Sequence, residues 1–259
     1  MAVAQTRFLG GQWPKAKAPR KGRNALTLKG PRGNAAATQT LGLAMDSFPD
    51  DIFTEPEDVD PDTLANLGPL RRLAGIWQGE RGVDVNPKAD GPERRDYSER
   101  IEMQPIDPQA NGPQLFYGLR YMIEILAPGE DATFHHQLGY WLWEPKTGLV
   151  MQTLAIPRGQ VALAAGHASP DARSLLLSAV RGSPEYGIAS TSFLEWAFRT
   201  DSYALEVTFH DDGRWSYVSD TLLRVRGRDE PFRHRDRNTL VKIGEPTPNR
   251  LMQLNKQTV

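Results

Sequence analysis

The stretch YALEVTFHDDGRWSYVSDT, residues 203–221, indicates the fold class. Large apolar side chains occupy every second position from Tyr203 to Phe209, which is the period of a β-strand with one buried face. The Asp-Asp-Gly sequence that follows is typical of a tight turn, and the alternation resumes at Trp215. We therefore predict a β-hairpin over this stretch.

Segments of the same kind recur from Gly75 to the end of the chain. We count about ten short strands separated by turn signals, and no alternating strand–helix pattern. Such a series favours a closed barrel, because closure leaves no unpaired strand edge. The predicted fold is all-β: an antiparallel up-and-down barrel of about ten strands, wide enough to hold a ligand. A β-sandwich is the alternative.

The N-terminal quarter of the chain has a different composition. Residues 1–44 contain eight Lys or Arg and no acidic residue, and residues 45–62 contain eight Asp or Glu and no basic residue. Neither stretch has the period of a strand or a helix. We therefore predict a disordered charged tail over 1–60, a barrel domain over 61–245 and a C-terminal tail over 246–259.

Smaller features flank the predicted strands. Residues 1–44 could bind anionic partners, serve as a transit segment, or precede the true start at Met45; the composition favours the last, or a solvated tail. Short helical turns are expected over 61–73, with Asp60 as N-cap, and a further short helix is expected over 193–198.

Composition and missing motifs exclude several classes of protein. The chain has no cysteine, so disulfide scaffolds, thiolate metal sites and covalent haem attachment are excluded. A net charge of −1 argues against nucleic-acid coating, and no apolar run is long enough for a membrane helix. We expect a cytoplasmic protein with a small-molecule ligand and no nucleic-acid or membrane partner. No hydrolase, nucleotide-binding or metalloprotease motif is present, so no catalytic residue is assigned.

One histidine stands in an unusual context, the segment PFRHRDRNTL over residues 231–240. His234 and Asp236 have the spacing of a facial iron site, but such a site needs a second histidine downstream, and none follows. The remaining interpretation is that His234 is the lone axial ligand of a macrocycle. Asp236 would then fix the tautomer of the imidazole, and the neighbouring arginines would attract the carboxylates of the macrocycle. A structural histidine fits the spacing equally well. The arginines are Arg233, Arg235 and Arg237.

Two other histidines, His135 and His136, are adjacent on a predicted strand. Their side chains therefore point to opposite faces and cannot hold one metal ion together. One of the two could face the interior of the barrel, but for either residue the favoured interpretation is a surface or hydrogen-bonded histidine.

Several motifs in this order resemble the nitrobindin family. The segment GIWQGERG, residues 75–82, resembles the G-x-W-x-G-x-G signature that opens the family's barrel, and its third glycine comes one residue late, which predicts a bulge. Gly139-Tyr140-Trp141 resembles a mid-barrel motif, and His234 matches the position of the proximal histidine, although Arg-Asp-Arg follows it. The resemblance covers 70–243. The signature positions are Gly75, Trp77, Gly79 and Gly82.

The resemblance implies a lipocalin-like barrel related to fatty-acid-binding proteins. It implies that His234 binds the iron of non-covalent haem b, that the haem binds nitric oxide, and that peroxynitrite is isomerised to nitrate. Two alternatives stay open: a carrier of an apolar ligand such as a fatty acid, and an interaction module that works through the charged tail. Candidate anchors for a fatty-acid carboxylate are Arg120, Tyr121, Arg224 and Arg226.

Overall fold

The structure of the protein, a computed structural model, describes residues 48–257. The basic segment 1–44 and Met45 lie outside the described residues, and residues 48–60 contain no helix or strand. The strands are β1 (Gly75–Lys88), β2 (Gly91–Pro105), β3 (Gln109–Asn111), β4 (Gln114–Leu126), β5 (Thr133–Glu144), β6 (Leu149–Ile156), β7 (Gln160–His167), β8 (Ser174–Val180), β9 (Ile188–Ser190), β10 (Phe198–Phe209), β11 (Trp215–Val225) and β12 (Phe232–Gly244). The helices are α1 (Thr63–Asn66), a 3-10 helix (Gly68–Leu73), α2 (Ser192–Ala197) and α3 (Arg250–Gln257).

Ten of the strands described within residues 48–257 close into an antiparallel barrel. Their order is β2-β1-β12-β11-β10-β8-β7-β6-β5-β4, and the circle is completed where β2 pairs with β4. The short strands β3 and β9 add to the rim by pairing with β4 and β7. The predicted up-and-down barrel is confirmed, and the sandwich alternative is wrong, because one continuous sheet closes on itself.

The hairpin over residues 203–221 has the predicted form. Leu205, Val207 and Phe209 of β10 are buried, whereas Glu206 between them is exposed. The turn to β11 contains Gly213 at φ +82°, a conformation that other residues rarely adopt. Alternation along the strand therefore separates the interior of the barrel from solvent.

The helical segment before β1 begins later than predicted. The N-cap of α1 is Asp62, whose side chain accepts a hydrogen bond from the backbone N of Ala65. Asp60 instead accepts hydrogen bonds from the backbone N of Asp62 and from Nδ2 of Asn66. The carboxylate of Asp60 thus supports the turn that precedes the helix. We call residues 63–73, α1 and the 3-10 helix together, the plug.

The plug packs against the large side chains at the end of the barrel where β1 begins. Leu67, Leu70 and Leu73 are completely buried and belong to the same apolar cluster as Trp77 and Trp143. Nε1 of Trp77 donates a hydrogen bond to the carbonyl of Leu73 at 2.8 Å. These contacts close this end of the barrel.

The segment 246–259, which we predict as a tail, contains α3. Asn249 precedes this helix and is 3% exposed. Its Nδ2 donates to the carbonyl of Pro61 at 2.9 Å and to Oδ1 of Asp107 at 2.7 Å, which attaches the segment to the barrel beside the plug. The helix expected over 193–198 is confirmed as α2. None of the described helices is long and apolar enough to cross a membrane.

Replacing Leu70 with alanine tests the structural role of the plug. We expect Leu70→Ala to lower the free energy of unfolding by about 2 to 5 kcal/mol, because the buried side chain leaves a cavity that the barrel end cannot refill. Urea unfolding followed by circular dichroism measures this change. The control is Leu176→Ala, at a side chain 66% exposed on β8, with an expected change within about 0.5 kcal/mol. Equal effects of the two substitutions would contradict the role of the plug.

Candidate functional site

The barrel encloses a cavity of about 560 Å³, a volume typical of small-molecule sites. Its mouth lies near Lys88 at the end of β1, and α2 contributes Leu194 to the lining. Three carboxylates line it, from the neighbouring strands β2, β1 and β12. Most of the remaining wall is apolar. The apolar side chains include Ile101, Ile123, Ile125, Leu154, Ile156 and Leu205.

His234 lies on the cavity wall in contact with two carboxylates. The pairing of β1 with β12 places Asp84 directly opposite Asp236, and His234, two residues before Asp236, lies on the same face of β12. Nε2 of His234 is 2.8 Å from Oδ1 of Asp84 and 3.5 Å from Oδ2 of Asp236. Asn86 donates a hydrogen bond from Nδ2 to the other oxygen of Asp84 at 2.8 Å. The result is an oriented cluster of one imidazole and two carboxylates.

The charges within this cluster shift its titration. Burial opposes the charged imidazolium, but the hydrogen bond to Asp84 and the charge of Asp236 outweigh it, so the pKa of His234 is raised above 6.5. Burial raises the pKa of Asp236 to about 7, and nearby Asp84 acts in the same direction. Protonated imidazole cannot bind a metal, so the neutral form that could do so increases as the pH rises.

The predicted arginine partners of His234 lie outside the cavity. Arg233 and Arg235 alternate with His234 along β12, so their side chains face solvent. Both pair with Asp220 of β11, at 3.4 Å and 3.0 Å. Of the residues that we predict around His234, the structure therefore brings Asp236 to the cavity and leaves these arginines on the outer face.

Basic side chains do reach the mouth of the cavity from other strands. Arg95 of β2 lies over the ring of Phe134, with 5.0 Å between the guanidinium carbon and the ring centroid. Arg158, in the turn between β6 and β7, donates a hydrogen bond to the carbonyl of Phe134 at 2.8 Å. With Lys88, these residues place three cations at the opening. The sequence gives no short motif for this set, because its members come from separate turns and strands.

The adjacent histidines on β5 face opposite sides, as predicted. His135 lines the cavity, and His136 lies outside it, 3.9 Å from Glu124. Burial and the charge of Arg158 lower the pKa of His135 to about 4. His135 is therefore neutral at physiological pH and is the second imidazole of the cavity wall.

A second polar cluster lies deeper, around Glu99 of β2, which is 2% exposed. Nδ2 of Asn238 donates to its Oε1 at 2.7 Å, and the hydroxyl of Tyr217 lies 3.1 Å from both carboxylate oxygens. The hydroxyls of Tyr217 and Tyr97 are 2.7 Å apart. Burial raises the pKa of Glu99 to about 7, although the hydrogen bonds from Asn238 and Tyr217 oppose the shift.

The signature glycines of β1 make room for this cluster. A Cβ atom on Gly82 would overlap the ring of Tyr97, and one on Gly79 would overlap the amide of Asn238. The register between β1 and β2 shifts between these two glycines, which confirms the predicted bulge. The late third glycine is therefore the residue over which the Tyr97 ring packs.

The candidate anchors for a fatty-acid carboxylate are scattered. Tyr121 is buried, and its hydroxyl donates to the carbonyl of Thr153. Arg120 and Arg224 are exposed, and Arg226 lies over the ring of Trp196. None of the four lines the cavity within the described part of the chain.

Comparison with known proteins identifies the barrel. The family model described as "THAP4-like, heme-binding beta-barrel domain" matches residues 66–242, and its description supports haem as the cofactor. Among solved structures, Rv2717c from M. tuberculosis is similar, with a TM-score of 0.51 and 22% identity, over 72% of this chain and 99% of that one. At this identity the likeness concerns the fold. No curated protein matches the chain significantly.

Glu99→Gln tests the buried carboxyl. The pKa of Glu99 is about 7 in the folded state and ordinarily 4.5. Protonated Glu99 therefore contributes to the free energy of unfolding at low pH, and this contribution is lost as the pH rises from 4.5 through 7. Glutamine keeps the shape without ionising. As the pH is raised from 5 to 8, we therefore expect the wild type to lose about 2 to 3 kcal/mol of unfolding free energy relative to the variant.

Urea unfolding at each pH measures this difference. The matched control is Glu206→Gln on the exposed outer face of β10, which should follow the pH dependence of the wild type. A Glu99→Gln difference that stays constant with pH would show that Glu99 is ionised equally in the folded and unfolded states.

Proposed function

Because this chain belongs to the nitrobindin family of THAP4-like haem-binding β-barrel domains, we propose that haem b lies in the barrel cavity with His234 as its axial ligand, and that the bound haem takes up nitric oxide. One observation carries the assignment of the ligand: His234 is an imidazole on the cavity wall whose Nε2 is held by a carboxylate at 2.8 Å. A metal-binding histidine typically has such a partner on its second nitrogen.

The cavity lining fits a macrocycle that has one charged edge. The aliphatic wall, with Ile123 and Leu154 among its residues, suits the apolar faces of the ring. Lys88, Arg95 and Arg158 at the mouth suit its two carboxylates, since guanidinium and ammonium groups bind carboxylates by charge-assisted hydrogen bonds. The plug closes the far end, so a ligand enters from the mouth.

Asp84 takes the role that we predict for Asp236 from the sequence. It is the nearer carboxylate, and Asn86 holds its second oxygen. In a neutral imidazole, a proton on Nε2 that is donated to Asp84 leaves the lone pair on Nδ1. We infer that Asp84 selects the tautomer of His234, while Asp236 contributes negative charge beside it.

When bound, haem held by His234 would supply the iron chemistry for binding nitric oxide and for isomerising peroxynitrite to nitrate. The chain contributes the axial imidazole, the basic mouth and an apolar wall that limits the access of water. No additional general acid and base are required for this isomerisation. We propose it as the reaction of the haem-bound protein.

Titration of the haem-free protein with hemin tests this function. We expect a sharp Soret band that saturates at one equivalent, and its loss in His234→Ala, because the axial bond depends on that imidazole. Metal-free buffer with a chelator keeps other ions out of the cavity.

His135→Ala is the matched control, since His135 is the second imidazole on the cavity wall. This variant should keep the saturating Soret band. Loss of the band in His135→Ala with retention in His234→Ala would assign the ligand to His135. A wild type without a saturable band would overturn haem binding by this chain.

A further inference from the structure

We propose that Asp84, His234 and Asp236 form a binding site for a divalent, non-haem metal ion in the haem-free protein. Each residue offers one ligand atom, and the three atoms lie within 4.8 Å of one another. All three side chains line the same cavity, so an ion can reach them from the mouth.

The donor set indicates which ions the site would take. One imidazole nitrogen and two carboxylate oxygens suit first-row divalent ions such as Mn²⁺, Fe²⁺ and Zn²⁺, because carboxylates favour hard ions and imidazole favours transition metals. The two carboxylates give the site a charge of −2 when both are ionised. A divalent ion held by a neutral His234 would balance that charge.

Charge around the cluster also favours a cation. Asp84 and Asp236 are directly opposite each other on β1 and β12, and like charges in such a pair are destabilising. Among residues 48–257, their only ion-pair partner is His234. An imidazolium balances at most one of the two negative charges. The nearby Glu99 has hydrogen bonds but no basic partner within the same part of the chain, so this wall holds three carboxyl groups beside a single imidazole.

The ligand atoms are oriented before any ion arrives. Asn86 holds Oδ2 of Asp84 at 2.8 Å and leaves Oδ1 toward His234. The strand pairing fixes the backbone positions of both aspartates. Contacts of this kind around a metal site orient its ligands, and their loss typically lowers the metal affinity by about 10- to 100-fold.

The sequence spacing alone hides this site. His234 and Asp236 supply two ligands of the His-x-Asp pattern, and a search downstream finds no third. The third ligand, Asp84, precedes His234 by 150 residues and is brought in by barrel closure. An ion bound between the aspartates would take the lone pair of Nε2 of His234, so the imidazole proton would lie on Nδ1, the opposite tautomer from the one that haem binding needs. Since a neutral imidazole offers one lone pair, His234 serves either haem or this ion at a given time. The proposal therefore goes beyond haem binding and does not depend on it.

Titration of the full-length, haem-free protein with Mn²⁺ tests the site. Electron paramagnetic resonance follows the signal of free Mn²⁺, and electron spin-echo modulation detects a coordinated imidazole nitrogen. We expect the protein to bind one equivalent of Mn²⁺, and we expect the bound ion to show coupling to an imidazole nitrogen. Asp84→Asn and Asp236→Asn should each weaken binding by at least about tenfold, and the double variant should abolish it. His234→Ala should remove the nitrogen coupling.

Asp220→Asn is the matched control, because Asp220 lies on the outer face of the same wall and pairs with arginines. It should bind Mn²⁺ as the wild type does, and circular dichroism should show that all variants are folded. The proposal is overturned if the wild type shows no saturable binding, if the double variant binds normally, or if nitrogen coupling persists in His234→Ala. Hemin binding is measured in a separate titration, so a failure of Mn²⁺ binding and a failure of haem binding can be told apart.

Discussion

The pairing of the first barrel strand with the last is the contact on which both the fold and the cavity depend. It joins β1 to β12 and leaves no free edge at that position. The same pairing sets Asp84 opposite Asp236, with His234 beside them on the inner face. The candidate site therefore exists only when the barrel is closed, and a ligand bound there would stabilise the closed form by mass action.

A second constraint is the close approach of β1 to side chains from its neighbours. Gly79 and Gly82 leave space for Asn238 and Tyr97, and the bulge between the two glycines accommodates the extra residue. Asn238 in turn donates to the buried carboxyl of Glu99. The signature on one strand is thus linked physically to a polar cluster on the cavity wall, which explains why its positions 79 and 82 are glycine.

The barrel could be predicted because alternation and turn signals are local. The hairpin around Gly213 and the short helix α2 each follow from neighbouring residues, whereas the bulge of β1 follows from the displaced third glycine of the family signature. The start of α1 was misplaced because Asp60 and Asp62 are both good caps, and the choice depends on hydrogen bonds. The helix α3 was missed because its segment is polar and short, and its attachment through Asn249 is a tertiary contact.

The site could be predicted only in part. His234 was found from its context and from a family resemblance, but strand alternation turns the adjacent arginines outward. Asp84 and Glu99 were missed because β1 and β2 carry charged residues on both faces, so an inward carboxylate has no distinguishing pattern.

A crystal structure of the protein with bound hemin would test whether His234 holds the haem inside the barrel. We expect haem inside the barrel with its iron bonded to one ring nitrogen of His234, and the other ring nitrogen still within hydrogen-bond distance of Asp84. Iron bonded to His135, or haem bound outside the barrel, would contradict it.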